Sequence, residues 1–255
     1  MPLRQFIKTI YYSKLRSMRK FYIVALLTIL ALPVSAQYIV WDGDFMIGFT
    51  AGAVGPFSVP QPTLEPGNNV KPGTLKRSVS PVFAFTYGME RELKGRLDFG
   101  FMFDASFSRE RASVTYVDSA NLTDMKQKSN VVEISEEIYL AYFLTEKLPI
   151  MAGVGFAESL VFGRAHRSDV LDLNGNMVNE GRYSMSGEYG IGGAISVAAS
   201  VGAFYYFTNT FFVSLRLKMR YPLFDFFSTG EDGVDAYLTK VPVTLTPVVT
   251  IGFRW

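Results

Sequence analysis

The sequence predicts an all-β chain: eight antiparallel strands, connected up-and-down and closed into a transmembrane β-barrel. Three observations predict it. Apolar residues alternate with a period of two in eight separate segments. The connections between those segments alternate between short and long. The face opposite the apolar one is small or polar.

In a strand, successive side chains point to opposite faces, so residues two apart share a face. The first candidate, 45–53, puts Phe45, Ile47, Phe49, Ala51 and Ala53 on one face and Met46, Gly48, Thr50 and Gly52 on the other. The second, 79–89, sets Val79, Pro81, Phe83, Phe85, Tyr87 and Met89 against Ser80, Val82, Ala84, Thr86 and Gly88. The third, 97–107, opposes Leu97, Phe99, Phe101, Phe103, Ala105 and Phe107 to Asp98, Gly100, Met102, Asp104 and Ser106. The fourth, 131–143, carries Val132, Ile134, Ile138, Leu140 and Tyr142; the fifth, 150–162, carries Ile150, Ala152, Val154, Phe156, Leu160 and Phe162. The sixth spans 189–207, from Ile191 to Phe207, and the seventh spans 211–221, from Phe211 to Tyr221. The eighth runs from 241 to the end through Val243, Leu245, Val249, Ile251, Phe253 and Trp255.

The connections 90–95, 144–149 and 208–210 are short, whereas 54–78, 108–130, 163–188 and 222–240 read as long loops. A sandwich has no reason to gather its short turns at one end, but an outer-membrane barrel does. The faces agree. The major face is bulky Phe, Leu, Ile and Val, too continuous for a soluble exterior, while Gly, Ala and Ser on the minor face suit a narrow lumen. The competing fold is a soluble eight-stranded ligand carrier, whose outer face would carry more Lys and Glu than these strands do. Composition concurs: 49% of residues are hydrophobic, with 22 Phe and 14 Tyr. Yet nothing after residue 36 approaches the ~20-residue apolar run of a membrane helix.

Residues 1–36 read as a cleaved secretory signal peptide, with the barrel domain over 37–255. Arg4, Lys8, Lys14, Arg16, Arg19 and Lys20 precede an apolar run, Phe21–Val34, and the small residues Ser35 and Ala36, which is the order of a signal sequence. The leader holds six of the 25 basic residues and none of the 23 acidic ones. The remainder therefore has 19 basic against 23 acidic residues, a net −4 in place of +2. No basic excess is left to argue for nucleic acid. The chain has no Cys, so a secreted form relies on its core and hydrogen bonds rather than on disulfides.

At the end of the chain, Val249, Ile251, Phe253 and Trp255 alternate with Thr250, Gly252 and Arg254. This resembles the C-terminal signal that the barrel-assembly machinery reads in outer-membrane β-barrels, with Trp255 where Phe is usual. Residues 37–255 as a whole resemble the small outer-membrane barrel families: the OmpA transmembrane domain, OmpX-like and opacity-like porin-family proteins. The resemblance implies the cell outer membrane of a Gram-negative bacterium, with lipid and lipopolysaccharide as surroundings. It also implies a barrel alone, without the peptidoglycan-binding module of full-length OmpA. Such barrels host many roles, so the resemblance chooses none.

Parity points Arg216, Lys218 and Arg220 of the seventh strand into the lumen, with Asp98, Asp104, Glu133 and Glu137 of the third and fourth. Buried charges must pair, so these seven are expected to form a polar network that plugs the lumen rather than a solute path. Glu136 and Glu158 interrupt the apolar face. If the 144–149 turn pairs Tyr142 with Ala152, it also sets Glu136 opposite Glu158, near the outer interface, and like charges so placed repel. A bulge rotating them inward is the preferred account; a divalent cation at the headgroups or a partner protein are the alternatives.

His166, the single His, stands in His166-Arg167-Ser168 with Glu180 downstream. This resembles the His-x-Ser plus Glu arrangement of outer-membrane lipid A deacylases, although Arg167 and Asp169 depart from that pattern. The segment reads as loop, and catalysis needs rigid placement. With one His, no Cys and no phosphate-loop or dinucleotide motif, no enzyme, cofactor or metal site is expected. The expectation is a barrel with a structural or interaction role. Its outer loops would meet protein partners, surfaces or lipopolysaccharide, among them the Pro-rich 54–78 and the acidic 222–240 with Asp225, Glu231, Asp232 and Asp235. A lipid A-modifying hydrolase and a narrow porin-like channel are the alternatives.

Overall fold

The computed structural model describes residues 43–56, 70–118, 121–185, 191–225 and 243–255. The leader, the prolines 60, 62 and 66, and the acidic residues Glu231, Asp232 and Asp235 lie outside the described residues.

The chain forms β1 (Asp44–Pro56), β2 (Val70–Arg77), β3 (Ser80–Lys94), β4 (Leu97–Asp118), β5 (Asn121–Thr145), β6 (Leu148–Leu171), β7 (Met177–Asn179), β8 (Ser184–Met185), β9 (Ile191–Tyr206), β10 (Phe211–Asp225) and β11 (Thr244–Arg254). Eight of them close a ring in which every neighbour is antiparallel: β1, β3, β4, β5, β6, β9, β10, β11 and back to β1. The seam joins the first and last strands from Met46–Arg254 to Pro56–Thr244. Phe45 and Trp255 exchange backbone hydrogen bonds of 3.0 and 3.1 Å at its end. Within the ring each of these eight strands has a neighbour on both sides, so the ring itself has no edge strand.

The expected parity is the observed one. Met46, Gly48 and Thr50 are buried, while Phe49 between them is 75% exposed; Phe83, Leu215 and Ile251 are 61%, 62% and 53% exposed. The bulky apolar face is therefore outside, which overturns both the sandwich and the soluble carrier. Short turns gather at one end: residues 95–96, 146–147 and 207–210. Gly95 turns the first with φ 62°, and Thr208 Oγ1 accepts the Phe211 N–H at 3.0 Å in the third.

At the other end the sequence expectation needs correcting. The segments 108–130 and 163–188, read as loops, are largely strand. β4 and β5 continue as one hairpin to Asp118–Asn121, and β6 continues to Leu171. Beyond the ring, β2 pairs with β4 in the place of β3, and β7 and β8 pair with β6 in the place of β9. A narrower sheet thus projects past the rim. β5 has 25 residues, about 80 Å at ~3.3 Å each. The projection escaped the hydrophobic reading because residues such as Ser108, Arg109, Glu110 and Arg111 are polar on both faces, while backbone pairing requires no apolar side.

Register also departs from expectation. The β5–β6 turn is the pair Glu146–Lys147, and an extra residue is taken up between Phe143 and Thr145. Tyr142 consequently faces Ile150, Glu136 faces Phe156 and Ile134 faces Glu158.

Candidate functional site

The lumen is narrow enough for side chains from opposite walls to meet. β10 supplies cations and β4 and β5 supply carboxylates. Arg216 forks onto Asp104, Nη1 to Oδ2 at 3.2 Å and Nη2 to Oδ1 at 3.1 Å. Lys218 Nζ reaches Asp104 at 2.6 Å and Glu137 at 3.5 Å, and donates to Ser135 Oγ at 2.8 Å. Arg220 pairs with Glu133, lies 3.6 Å from Glu110 and donates to Ser159 Oγ at 3.0 Å. Hydroxyls complete the shell. Thr86 donates to Asp104 at 2.5 Å, Thr50 bridges Thr86 and Thr250 at 2.7 and 2.6 Å, and Ser200 donates to Glu137. Six of the seven residues singled out by parity thus come together. Asp98 is buried but lies apart, beside Glu90. A cavity of about 40 Å³ remains, lined by Asp104, Glu133, Lys218 and Arg220 among others, enough for a water or two.

Toward the short turns the lumen becomes aromatic. Met46, Met102, Tyr139, Met151, Phe204, Tyr206 and Phe212 pack as one buried cluster. Gly100 makes room for Tyr139: a Cβ there would lie 2.1 Å from its ring. Tyr139 donates to Glu90 at 2.8 Å, and Arg254 binds Asp44 while its guanidinium lies 4.8 Å over the Tyr206 ring. Sequence reasoning overlooked Glu90, Glu110, Asp44 and Arg254 as lumen charges. For Asp44, Glu90 and Glu110 the signal was the same alternation carried past the end of an apolar run, since Asp44 shares parity with Met46 and Glu90 with Gly88, and for Arg254 it was the alternation within the last run.

Glu136 and Glu158 stay on the outer face. No register shift falls between Asn130–Phe162 and Phe143–Pro149, so no bulge rotates them. Nor are they near the rim. Along β5 the outward series is Tyr142, Leu140, Ile138, Glu136, Ile134, Val132 and Asn130, and Glu136 also faces Phe103 of β4. The two carboxylates stand diagonally across adjacent strands within the apolar belt. Among the described residues, no group of three or more His, Asp or Glu side chains could hold a metal ion.

The bulge lies higher. Asn130 faces Phe162 but Lys128 faces Ala165, and Gly163 between them has φ 60°. The extra residue turns β6 over. Above it Arg167 and Asp169 join the outer face opposite Lys126 and Asp124, and His166 faces the buried Gln127 on the inner side. Glu180, the acid of the His-x-Ser plus Glu resemblance, accepts from Arg167 at 2.7 Å. Arg167 shares Asp169 with Lys126 at 2.8 and 3.1 Å, and Asp169 also accepts the Gly181 N–H at 3.0 Å. Arg167, then Lys126 and that N–H, hold the Asp169 carboxyl below the usual range. Hydrogen bonds to Asp124 and Asp169 raise Lys126. The segment that carries β7 and β8 is thus tied to β6 by charge. Ser168 is exposed, on the same face of β6 as His166 and opposite to Arg167. At the seam, Val249, Ile251, Phe253 and Trp255 all face outward and are exposed.

Ring, faces and lumen together define a class of protein: a closed antiparallel β-barrel, apolar outside and ion-paired within. No family model and no curated protein matches the chain. Among solved structures it is similar to the outer membrane protein OprG from Pseudomonas aeruginosa, at 11% identity and TM-score 0.42 over 84% of this chain and 96% of that one. It is similar to Ail, the attachment invasion locus protein of Yersinia pestis, at 10% identity and TM-score 0.40 over 84% and 97%. It is also similar to the N-terminal β-barrel domain of Pseudomonas aeruginosa OprF, at 12% identity and TM-score 0.35 over 84% and 100%. The fold assignment rests on the closed ring of strand pairs.

Proposed function

We propose that the chain is an integral outer-membrane β-barrel with a structural or interaction role, exported by a cleaved leader over residues 1–36 and folded as one barrel domain over 37–255. The observation that carries this reading is the inverted distribution of polarity. Phe, Leu, Ile and Val cover the outside of the ring, while Arg216, a charged residue, is among its most buried side chains. In water such an exterior would aggregate; in a bilayer it is the required surface, since a closed barrel satisfies every backbone group of its spanning strands.

The lumen residues Asp104, Glu133, Glu137, Arg216, Lys218 and Arg220, with Asp98 below them, then serve as a structural plug. The aromatic cluster blocks the short-turn end. The outward residues Val249, Ile251, Phe253 and Trp255 serve as the signal for the barrel-assembly machinery. The projecting sheet of β2, β4, β5 and β6 carries the contacts with protein partners, surfaces or lipopolysaccharide.

Outer-membrane fractions run on a denaturing gel with and without boiling test the reading. A folded membrane barrel stays closed until heated and migrates differently. A soluble periplasmic protein with no shift overturns the assignment. Planar-bilayer recordings test the plug, which predicts no steady large-conductance channel.

A further inference from the structure

We propose that Arg109, Arg111 and Lys128 form a site for the phosphate groups of anionic lipid headgroups at the rim of the apolar belt. The proposal rests on reading the barrel as a membrane protein. The β4–β5 ladder has no register shift from Leu97–Tyr142 to Asp118–Asn121. The outward face that carries Phe99, Phe101, Phe103 and Phe107 therefore continues directly to Arg109 and Arg111. Lys128 stands straight opposite Arg111, and Asn130 opposite Arg109.

Cations facing each other on neighbouring strands repel. The next cations along this face of β5 and β6 meet carboxylates: Asp124 and Asp169 for Lys126, Asp169 and Glu180 for Arg167. Among the described residues no carboxylate reaches ion-pair distance of Arg109, Arg111 or Lys128. The nearest acid in sequence, Glu110, points the other way, to Arg220. The Lys128 ammonium lies 3.8 Å over the ring of Tyr183, which steadies the cation without cancelling its charge.

Three positive charges thus stand just beyond Phe107, Arg109 two residues on and Arg111, with Lys128 opposite it, four residues on, where the hydrocarbon ends and headgroups begin if the phenylalanine belt is in lipid. A guanidinium fork fits two phosphate oxygens, and an ammonium adds a compact charge. A phosphate placed between Arg111 and Lys128 turns a repulsive cross-strand pair into two attractive contacts, which a neutral headgroup cannot do.

The test uses the refolded protein in nanodiscs of phosphatidylcholine, titrated with short-chain phosphatidic acid or with inorganic phosphate. The wild type is expected to bind phosphatidic acid in preference to added phosphatidylcholine. The variant Arg109→Gln/Arg111→Gln/Lys128→Gln is expected to lose about a hundredfold in affinity, at about fivefold per surface cation. Equal binding of the two lipids by the wild type overturns the proposal, as does full affinity in a folded triple variant. Inorganic phosphate binding as tightly as the lipid also overturns the headgroup assignment. If the triple variant does not fold, Arg111→Gln alone decides, with an expected loss of about fivefold and unchanged affinity counting against the site. A boiling shift of the wild-type sample separates the two levels. A shifting barrel without lipid preference removes only this site, and a wild type that does not shift removes the membrane reading beneath it.

Discussion

Asp104 and Arg216 are 112 residues apart in sequence and meet as a two-point ion pair across the barrel lumen, with side chains 3% and 0% exposed. Asp104 also holds Lys218 and accepts from Thr86, so one carboxylate gathers two cations from β10. Removing one member leaves the others charged and without water, which is costlier than the pair itself is worth.

Arg216→Met is accordingly expected to destabilise the barrel by about 3–5 kcal/mol, measured by urea unfolding of the refolded protein in detergent micelles. Adding Asp104→Asn to it is expected to cost less than the sum of the two single changes, a coupling of at least ~1 kcal/mol. Strictly additive costs would mean that the two groups do not act as a unit.

Glu136 and Glu158 make the opposite prediction. They stand within the apolar belt, Glu136 between Phe103 and Phe156. In a bilayer, replacing each with Leu is expected to stabilise the folded barrel by about 1–2 kcal/mol. Unfolding in lipid vesicles measures this, and the wild-type value is expected not to change with added calcium or magnesium. A loss of stability on Glu→Leu would mean that something on that face binds the carboxylates.

Gly163 carries the bulge that turns β6 over. At its φ of 60° a side chain is strained, and a Cβ would lie 2.8 Å from Asn130 Nδ2. Gly163→Ala is expected to cost about 1–2 kcal/mol. The effect is local, so hydrogen exchange is expected to speed up over 164–171 while β1, β10 and β11 stay protected. Uniform loosening of the ring would contradict a confined role.

Asp169 ties the segment around Gly181 to β6 through Arg167, Lys126 and a backbone N–H. Its pKa is lowered in the folded chain, chiefly by the Arg167 hydrogen bond, so the unfolded chain binds more protons there at acid pH. The contribution is full above the ordinary value of about 3.9 and is lost as pH falls through the lowered one. Protease nicking at 172–183 is expected to rise in that acid range with the ring intact. Asp169→Asn is expected to show the raised susceptibility already at neutral pH, and a pH step that survives the substitution would place its origin elsewhere.

Much of the barrel was legible in the sequence because it is written locally. Alternation across a strand needs no partner to be read, so strand number, the outward face and the inward charges follow from parity. Asp104, Glu133, Glu137, Arg216, Lys218 and Arg220 were all identifiable in this way, as were the three short turns. Glu90 and Glu110 belong to the same face and were missed where the apolar run that marks it had already ended, whereas Arg254 lies within the last run, between Phe253 and Trp255, and was legible by the same parity.

Other features exist only in the tertiary structure. Register depends on how a turn absorbs its residues: the turn at Glu146–Lys147 and the one residue taken up between Phe143 and Thr145 each shift the pairing by one position, and together they set Glu136 opposite Phe156 in place of Glu158. The projecting hairpin of β4 and β5 carries only a short apolar alternation, Ala112, Val114 and Tyr116 on β4, and the rest of its pairing is made by backbone groups that are the same for every residue. The bulge at Gly163 decides which face Arg167 presents, and so draws Glu180 to Arg167. By itself the sequence determined which side of each ring strand is apolar, because that is a property of single residues in a repeating pattern. Only the folded chain decided which residue stands opposite which, because that is set by the geometry of turns and bulges shared between two strands.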